Sequence, residues 1–194
     1  MRNRFLLPLV FASLSVLSPT LVAQPATGDR DLPHLEKRGA ATQLIVDGKP
    51  YVMLGVELHN SSSSSLKYMD AEWPHLAALG LNTVLTPVSW ELVEPTEGKY
   101  DFALVDGLLT GARQHHLRLV LLWLAAWKNG MSSYPPVWVK QDTKRFPRVV
   151  EGGREVNILS TFGGETQAAD ARAFAALLQH LREVDAQDHT VLMV

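Results

Sequence analysis

Cysteine is missing from all 194 residues of the chain. Disulfides, thiolate metal sites and cysteine nucleophiles are therefore excluded. A protein of this size without disulfides depends on its hydrophobic core for stability. The hydrophobic content of 46% and the five Trp residues are sufficient for such a core.

A large net charge is also missing. The formal net charge is −2, and the basic residues are scattered along the chain. This distribution argues against nucleic acid or an anionic membrane as a partner and favours a small neutral one. The sequence has no His-Glu-x-x-His motif, no phosphate-binding glycine loop and no Gly-x-Ser-x-Gly elbow. We therefore expect no metal, no nucleotide and no other cofactor.

Long apolar runs are absent except at the N-terminus. Arg2 and Arg4 precede the apolar run Phe5–Leu17, and small residues follow as far as Ala23. This run is shorter than the roughly 20 residues that a transmembrane helix needs, which is the alternative interpretation. We predict a cleaved signal peptide at residues 1–23, export to the periplasm or the extracellular space, and no membrane attachment after cleavage.

The next segment, residues 24–42, mixes proline, glycine and charge without periodicity, and we predict a linker there. Asp47-Gly48 then separates two apolar runs, Gln43–Val46 and Tyr51–Gly55. Asp-Gly between apolar runs predicts a β-hairpin.

Beyond the hairpin, apolar strands alternate with amphipathic helices. The predicted strands are Tyr51–Val56, Asn82–Leu85, Leu117–Leu124 and Thr190–Val194; the predicted helices are Tyr68–Leu79, Phe102–His116, Pro135–Lys140 (short) and Ala168–Val184; Pro147–Ile158 is a loop or a small hairpin. Strands separated by helices predict parallel βαβ units.

This alternation over residues 43–194 predicts an α/β fold, the N-terminal half of a (β/α)8 barrel truncated at strand four. A complete barrel takes roughly 250 residues. The alternative is a complete domain with an open four-stranded sheet.

Polar and aromatic residues follow the ends of the first three predicted strands, where barrels of this type build their sites. The candidate substrate-binding residues are Glu57, His59, Asn60, Trp90, Glu94, Trp127 and Lys128. Indole rings stack on the apolar faces of sugars, and carboxylates and amides bind the hydroxyls. The pattern therefore predicts a carbohydrate site.

Each candidate also has a structural interpretation. The tryptophans can cap the barrel core, and Glu94 before Pro95 can order its loop through backbone hydrogen bonds. Glu57 can form a buried salt bridge, His59 can be a structural histidine, and Lys128 can be a solvated loop charge.

The segment Trp90–Phe102 resembles the W-x-x-x-E-P-x-x-G-x-Y-D-F segment of β-galactosidases of glycoside hydrolase families 35 and 42. Gly55–His59 is similar to the first-strand segment of family 35. The segments Trp127–Tyr134 and Asp142–Pro147 resemble a bacterial subgroup with a further β-domain after the barrel.

The resemblance implies hydrolysis of terminal β-galactosides with retention of configuration, by an acid/base Glu and a nucleophile Glu roughly 5 Å apart. In the family, the acid/base follows an Asn at the end of strand four, and the nucleophile ends strand seven. Both positions lie beyond Val194, so no catalytic residue is expected within this chain. Two residues depart from the family pattern: Ala126 stands where members carry Glu, and Asn60 where they carry Tyr.

Three hypotheses follow. The chain is part of an enzyme acting on β-galactosides, a non-catalytic carbohydrate-binding remnant, or an unfolded fragment without activity. We expect the 194-residue chain alone to be inactive, and to be poorly folded or to self-associate through unpaired strand edges.

Overall fold

The computed structural model describes residues 32–128 and 133–194. The predicted signal peptide, residues 1–23, lies outside the described residues. The strands are β1 (His34–Arg38), β2 (Ala41–Val46), β3 (Lys49–Pro50), β4 (Gly55–Glu57), β5 (Thr83–Ser89), β6 (Arg118–Leu124), β7 (Arg148–Glu151), β8 (Arg154–Leu159) and β9 (Val191–Met193). The helices are α1 (Leu66–Ala78), α2 (Trp90–Val93), α3 (Ala103–Gln114), α4 (Val137–Gln141) and α5 (Gly164–Val184).

A four-stranded parallel sheet organises the molecule. Its order is β4-β5-β6-β9, with neighbours paired in parallel throughout. Successive strands are joined by α1, by α2 and α3, and by a segment that contains α5. This is the alternation of the first half of a (β/α)8 barrel, so the predicted α/β fold class is confirmed.

The three long helices pack on the sheet in one hydrophobic cluster. The cluster includes Met69 and Trp73 of α1, Leu108 and Leu109 of α3, Leu177 and Leu181 of α5, and Val84, Val88, Leu119 and Leu121 of the sheet. Full burial of such side chains contributes about 1.5–3 kcal/mol each. The helices therefore hold the strands, and with them the strand ends, in place.

Helices α1 and α3 pack closely against each other, and glycine makes this close approach possible. A Cβ atom at Gly111 would lie 2.1 Å from Trp73 Nε1, and one at Gly107 would lie 2.3 Å from Leu66 Cδ1. Because no side chain larger than hydrogen fits at Gly111 without moving a fully buried indole, the two helices approach closely here.

The hairpin turn is confirmed, but the second strand of the hairpin is Lys49–Pro50 and not the predicted Tyr51–Gly55, and the linker prediction also changes. Asp47 (φ 50°) and Gly48 (φ 72°) form the two-residue turn between β2 and β3, as a type I′ turn requires. However, β1 pairs antiparallel with β2 over the whole range His34–Arg38. Residues 34–42, which we predicted as the end of the linker, therefore form part of a three-stranded sheet.

The first parallel strand is shorter and more exposed than predicted. Tyr51–Val56 was expected as a buried strand, but β4 begins at Gly55, and Val52 and Leu54 are exposed. The Asn82 side chain accepts a hydrogen bond from the Leu54 amide (2.8 Å) and donates one to the Val52 carbonyl (2.8 Å). This amide takes the place of regular strand pairing at that edge.

The segment before α5 is the small antiparallel hairpin β7–β8, which resolves the predicted choice between loop and hairpin. Along residues 32–128 and 133–194, the structure contains no helix that is both long enough and apolar enough to cross a membrane.

Candidate functional site

The carboxyl ends of the four parallel strands meet at one edge of the sheet. Glu57 at the end of β4 is in register with Leu85 in the middle of β5, and Ser89 at the end of β5 with Leu124 at the end of β6. Glu57 is the last residue of β4, and the other six candidate residues come from the segments that follow β4, β5 and β6. We refer to these strand ends and the segments after them together as the rim.

After β4, the rim carries open polar side chains. Glu57 and His59 are exposed, and Asn60 is half-buried. The His59 ring makes a long contact of 3.5 Å from Nδ1 to Ser61 Oγ. The loop itself is anchored, because the buried Ser63 hydroxyl donates to the Pro87 carbonyl of β5. These three candidates are therefore accessible to a ligand on an ordered loop.

After β5, two candidates face the interior. Trp90 is completely buried and Glu94 is 3% exposed. Trp90 Nε1 donates to Glu94 Oε2 (2.7 Å), and the Gly98 amide donates to Glu94 Oε1 (2.7 Å). Each carboxylate oxygen thus accepts from a protein donor. This burial argues against the expected sugar contacts of Trp90 and Glu94, because a buried indole has no free face for stacking and the Glu94 carboxylate orders its loop.

This buried pair is also tied to α4. Trp138 Nε1 donates to the Glu94 carbonyl (3.1 Å), and the Trp90 and Trp138 rings meet edge to face with centroids 5.7 Å apart. The arrangement adds an aromatic contact to the hydrogen bonds. It fixes the position of the loop after β5 against the segment that follows β6.

After β6, the candidates are again accessible. Trp127 is 58% exposed and Lys128 is half-buried. The backbone just before Trp127 is held by Asp170 of α5, which accepts from the Ala126 amide (3.1 Å) and from Trp123 Nε1 (2.8 Å). Asp170 therefore supports the backbone that presents the Trp127 indole.

Two supporting interactions carried no signal in the sequence. Asp170 lies within an amphipathic helix, where a carboxylate on the polar face is ordinary. Glu91 Oε2 accepts from Lys140 Nζ (2.8 Å), across 49 positions of sequence. Such pairs depend on how distant segments meet, so periodicity and local motifs do not reveal them.

Two acidic groups near the rim have shifted pKa values. The hydrogen bonds from Arg145 hold the pKa of Glu97 below its usual range, through contacts of 3.0 and 2.8 Å. Burial, and then the nearby Glu94 carboxylate, raise the pKa of Tyr100. Glu97 is consequently ionised to lower pH than a free carboxyl, and Tyr100 stays neutral in ordinary buffers.

The accessible side chains of the rim are chemically varied. It presents a carboxylate (Glu57), an imidazole (His59), an amide (Asn60), an indole (Trp127) and an ammonium group (Lys128). Within residues 32–128 and 133–194, no group of three or more His, Asp or Glu side chains is arranged to hold a metal ion. The structure brings Trp90 and Glu94 into contact, but no hydrogen bond among the described residues joins the β4 candidates to Trp127.

Comparison with known sequences identifies a relationship. Residues 43–118 match the family described as glycosyl hydrolases family 35. A beta-galactosidase of Xanthomonas manihotis is 39% identical over 98 residues, which are 50% of this chain and 15% of that protein. The chain thus spans about a seventh of the length of this curated relative. The resemblance to family 35 is confirmed.

Comparison with solved structures identifies the fold. The exo-beta-1,4-mannosidase Op5Man5 from Opitutaceae bacterium strain TAV5 has a TM-score of 0.52 at 19% identity, covering 72% of this chain and 24% of its own. Endo-glycoceramidase II from Rhodococcus sp. has a TM-score of 0.51 at 17% identity, covering 73% and 39%. The catalytic domain of beta-amylase from Paenibacillus polymyxa has a TM-score of 0.52 at 15% identity, covering 67% and 33%. These are TIM-barrel glycoside hydrolases, and each matches this chain over about a quarter to two fifths of its own length.

Proposed function

We propose that this chain, with its family 35 segment at residues 43–118, is part of a retaining glycoside hydrolase that removes terminal β-galactosyl groups from oligo- or polysaccharides. The observation that carries the proposal is that this segment includes β4, β5 and the rim residues that follow them. In barrels of this type, the segments after the strands form the active site.

The rim residues have separate roles in this proposal. Glu57, His59 and Asn60 bind sugar hydroxyls, because their side chains are accessible and polar. Trp127 stacks on a sugar ring, and Lys128 is adjacent to it. Trp90 and Glu94 position the rim and do not contact the substrate.

The catalytic acid/base and the nucleophile belong, in this proposal, to sequence beyond Val194, after barrel strands four and seven. A retaining glycosidase needs both carboxyl groups about 5–5.5 Å apart. Glu94 is unsuited to either role, because its side chain is only 3% exposed and its carboxylate is held by hydrogen bonds from Trp90 and Gly98.

A second candidate function is carbohydrate binding without hydrolysis. One observation favours it. The accessible rim groups suit recognition of a sugar, while the Glu94 carboxylate is buried and orders its loop. We also propose export to the periplasm or the extracellular space, supported by the charge and apolar pattern of residues 1–23.

The test is to express the complete reading frame that contains these 194 residues and to measure hydrolysis of 4-nitrophenyl β-galactoside. We expect turnover with retention of anomeric configuration, followed by NMR. Turnover of a β-mannoside instead would support glycosidase activity and contradict β-galactosidase activity. Binding of galactosides without turnover would favour the second candidate function.

A further inference from the structure

Glu91 of α2 holds the segment that follows β6 at two separate points. Its carboxylate accepts a hydrogen bond from Lys140 Nζ of α4 (2.8 Å), and its backbone amide donates to the Tyr134 carbonyl (2.9 Å). The position of this segment relative to the end of β5 therefore depends on both the side chain and the backbone of one residue.

Lys140 is also held by the first residue of β7. Arg148 Nη2 donates to the Lys140 carbonyl (2.6 Å), and Arg148 Nη1 donates to the carbonyl of Phe146 (3.4 Å). Phe146 is itself completely buried. The ammonium group and the backbone of Lys140 are thus fixed at the same time, by α2 and by the start of β7.

Lys140 lies close to Trp127 of the rim. The two residues line the same small cavity, together with Ala126, Pro135 and Arg148. The cavity volume is about 10 Å³, which is enough for roughly one water molecule. Because the space between these residues is so small, a shift of Lys140 changes the packing around the backbone that presents the Trp127 indole.

The ion pair itself is suited to positioning more than to stabilisation. The side chains of Lys140 and Glu91 are 30% and 34% exposed. Ion pairs with this access to water contribute little to the free energy of unfolding. A short hydrogen bond between two charged groups nevertheless defines where the flexible lysine chain lies. We therefore expect its loss to change the placement of Trp127 more than the stability of the fold.

We propose that Glu91 and Lys140 are a positioning pair, which holds the Trp127 indole in the orientation that binds the substrate and thereby sets substrate affinity. This inference rests on the proposed glycosidase function, in which Trp127 stacks on a sugar ring. Both residues act through Trp127, and neither contacts the sugar.

The test is a double-mutant cycle on the protein of the complete reading frame, with 4-nitrophenyl β-galactoside as the substrate. We expect Glu91→Gln to raise KM about three- to tenfold and to leave kcat within about twofold, because it weakens binding without changing the reacting groups. In the Trp127→Ala background, Glu91→Gln should have no further effect on KM, because the side chain through which it acts is missing.

Two further variants keep the test independent of one substitution. Lys140→Gln removes the same ion pair from the other side and should reproduce the change in KM, also where Glu91→Gln fails to fold. Exchange of the two charges, Glu91→Lys with Lys140→Glu, should recover part of the affinity that Glu91→Lys alone loses. Calorimetric thermal midpoints of all variants identify the folded proteins to be compared.

The ion pair of Glu97 and Arg145 provides the matched control. It also links the loop after β5 to the segment after β6, through contacts of 3.0 and 2.8 Å, whereas other residues line the cavity beside Trp127. Glu97→Gln should leave KM and kcat unchanged. Equal effects of Glu91→Gln and Glu97→Gln on KM would overturn the proposal, and so would additive effects of Glu91→Gln and Trp127→Ala.

Calorimetric titration with galactose separates this inference from the proposed function. In a protein without turnover, galactose binding that Glu91→Gln weakens only when Trp127 is present would support the positioning pair and contradict the hydrolase. Turnover with additive effects would support the hydrolase and contradict the pair. A folded protein that neither binds galactose nor hydrolyses the aryl galactoside would contradict both.

Discussion

At the scale of single residues, Trp90 and Glu94 show how the structure favours one of two interpretations that the sequence leaves open. Their spacing of four positions was evident in the sequence, and the structure joins them by a hydrogen bond of 2.7 Å. The sequence does not contain the orientation of the two side chains. That orientation depends on Trp138 and on the segment after β6, which are distant in sequence.

Glu94→Gln should destabilise the protein without any role of Glu94 in substrate contact. An amide keeps one acceptor oxygen but places an N–H donor against either Trp90 Nε1 or the Gly98 amide. Since hydrogen bonds to a charged group contribute about 1.5–3 kcal/mol, we expect the free energy of unfolding to fall by about 2 kcal/mol. Urea denaturation measures this value.

The control for Glu94→Gln is Glu151→Gln, because Glu151 is an exposed carboxylate of β7. Its free energy of unfolding should stay within about 0.5 kcal/mol of the wild type. Similar stability of the two variants would show that the buried carboxylate is not what orders the loop.

Glu57→Gln should lower activity and leave stability unchanged, in contrast to Glu94→Gln. Glu57 is exposed at the end of β4, so its replacement should leave the thermal midpoint unchanged. If it binds sugar hydroxyls, losing a charged hydrogen bond of about 1.5–3 kcal/mol should lower kcat/KM by about ten- to a hundredfold. Steady-state kinetics on the complete protein measures this effect, and unchanged kinetics would remove Glu57 from the site.

At the scale of helices and strands, the sequence is most informative where an apolar pattern of helical period extends over many residues. The helix predicted at Tyr68–Leu79 is observed as α1, ending before Gly80 at φ 72°, and Ala168–Val184 is observed within α5. The predicted length of β4 is too great, because the backbone amide of Leu54 donates to the Asn82 side chain and does not take part in strand pairing. Periodicity reports which side of an element is buried, and it does not report such bridging side chains.

Gly111→Ala tests the close crossing of α1 and α3. The new methyl group would lie 2.1 Å from Trp73 Nε1, so the helices must separate or the buried indole must move. Overpacking of this kind costs about 1–3 kcal/mol, which outweighs the helix propensity gained by alanine. We expect a lower thermal midpoint by calorimetry.

Gly164→Ala is the matched substitution, because a Cβ atom at the start of α5 has no neighbour within 4 Å. It should leave the midpoint unchanged or raise it slightly. If Gly111→Ala proved equally neutral, the two helices would have to lie farther apart than described.

The ion pair of Glu97 and Arg145 links the loop after β5 to the segment before β7. Because its folded pKa is lowered, Glu97 contributes stability above its unfolded pKa, and this contribution is lost as the pH falls through the folded value. The midpoint difference between wild type and Glu97→Gln should therefore be larger at pH 6 than at pH 3. Both groups are exposed, so high salt should also reduce the difference.

Arg145→Gln should reproduce this pH and salt dependence, since it removes the other partner. A midpoint difference that is the same at pH 3 and pH 6, or at low and high salt, would show that the pair does not contribute through its charges.

At the scale of the whole molecule, the fold class was predictable and the site was predictable only in outline. Apolar strands alternating with amphipathic helices specify parallel βαβ units, and those units place all strand ends on one side. This reasoning located the rim. It missed Asp170 and the Glu91–Lys140 pair, since each joins segments that only the folded structure brings together.

The two outer strands of the central sheet suggest self-association of the 194-residue chain. Among the described strands, β4 pairs with β5 alone and β9 with β6 alone. Exposed apolar side chains lie beside both outer strands: Leu54 directly precedes β4, and Met193 is the last residue of β9. Such edges can pair with other chains. We expect sedimentation velocity to show species larger than the monomer at micromolar concentrations.

Lysine substitutions provide the comparison, because charged side chains discourage pairing at strand edges. Leu54→Lys together with Met193→Lys should shift the sedimentation profile toward the monomer. The same double substitution at exposed, non-edge positions, Leu79→Lys with Phe162→Lys, should not. A monomeric wild-type chain would contradict the expectation.

The N-terminal hairpin also bears on how the chain folds. The Asp47 carboxylate at its turn accepts from Arg118 Nη2 (2.6 Å), 71 positions later, and contacts His189 Nδ1 (3.5 Å), 142 positions later. The hairpin turn itself needs only neighbouring residues, so it can form on the microsecond timescale of local structure. Its contacts with the sheet must wait for β6 and then for the residues before β9. A local element at the start of the fold therefore docks only when residues near the last strand of the sheet are in place.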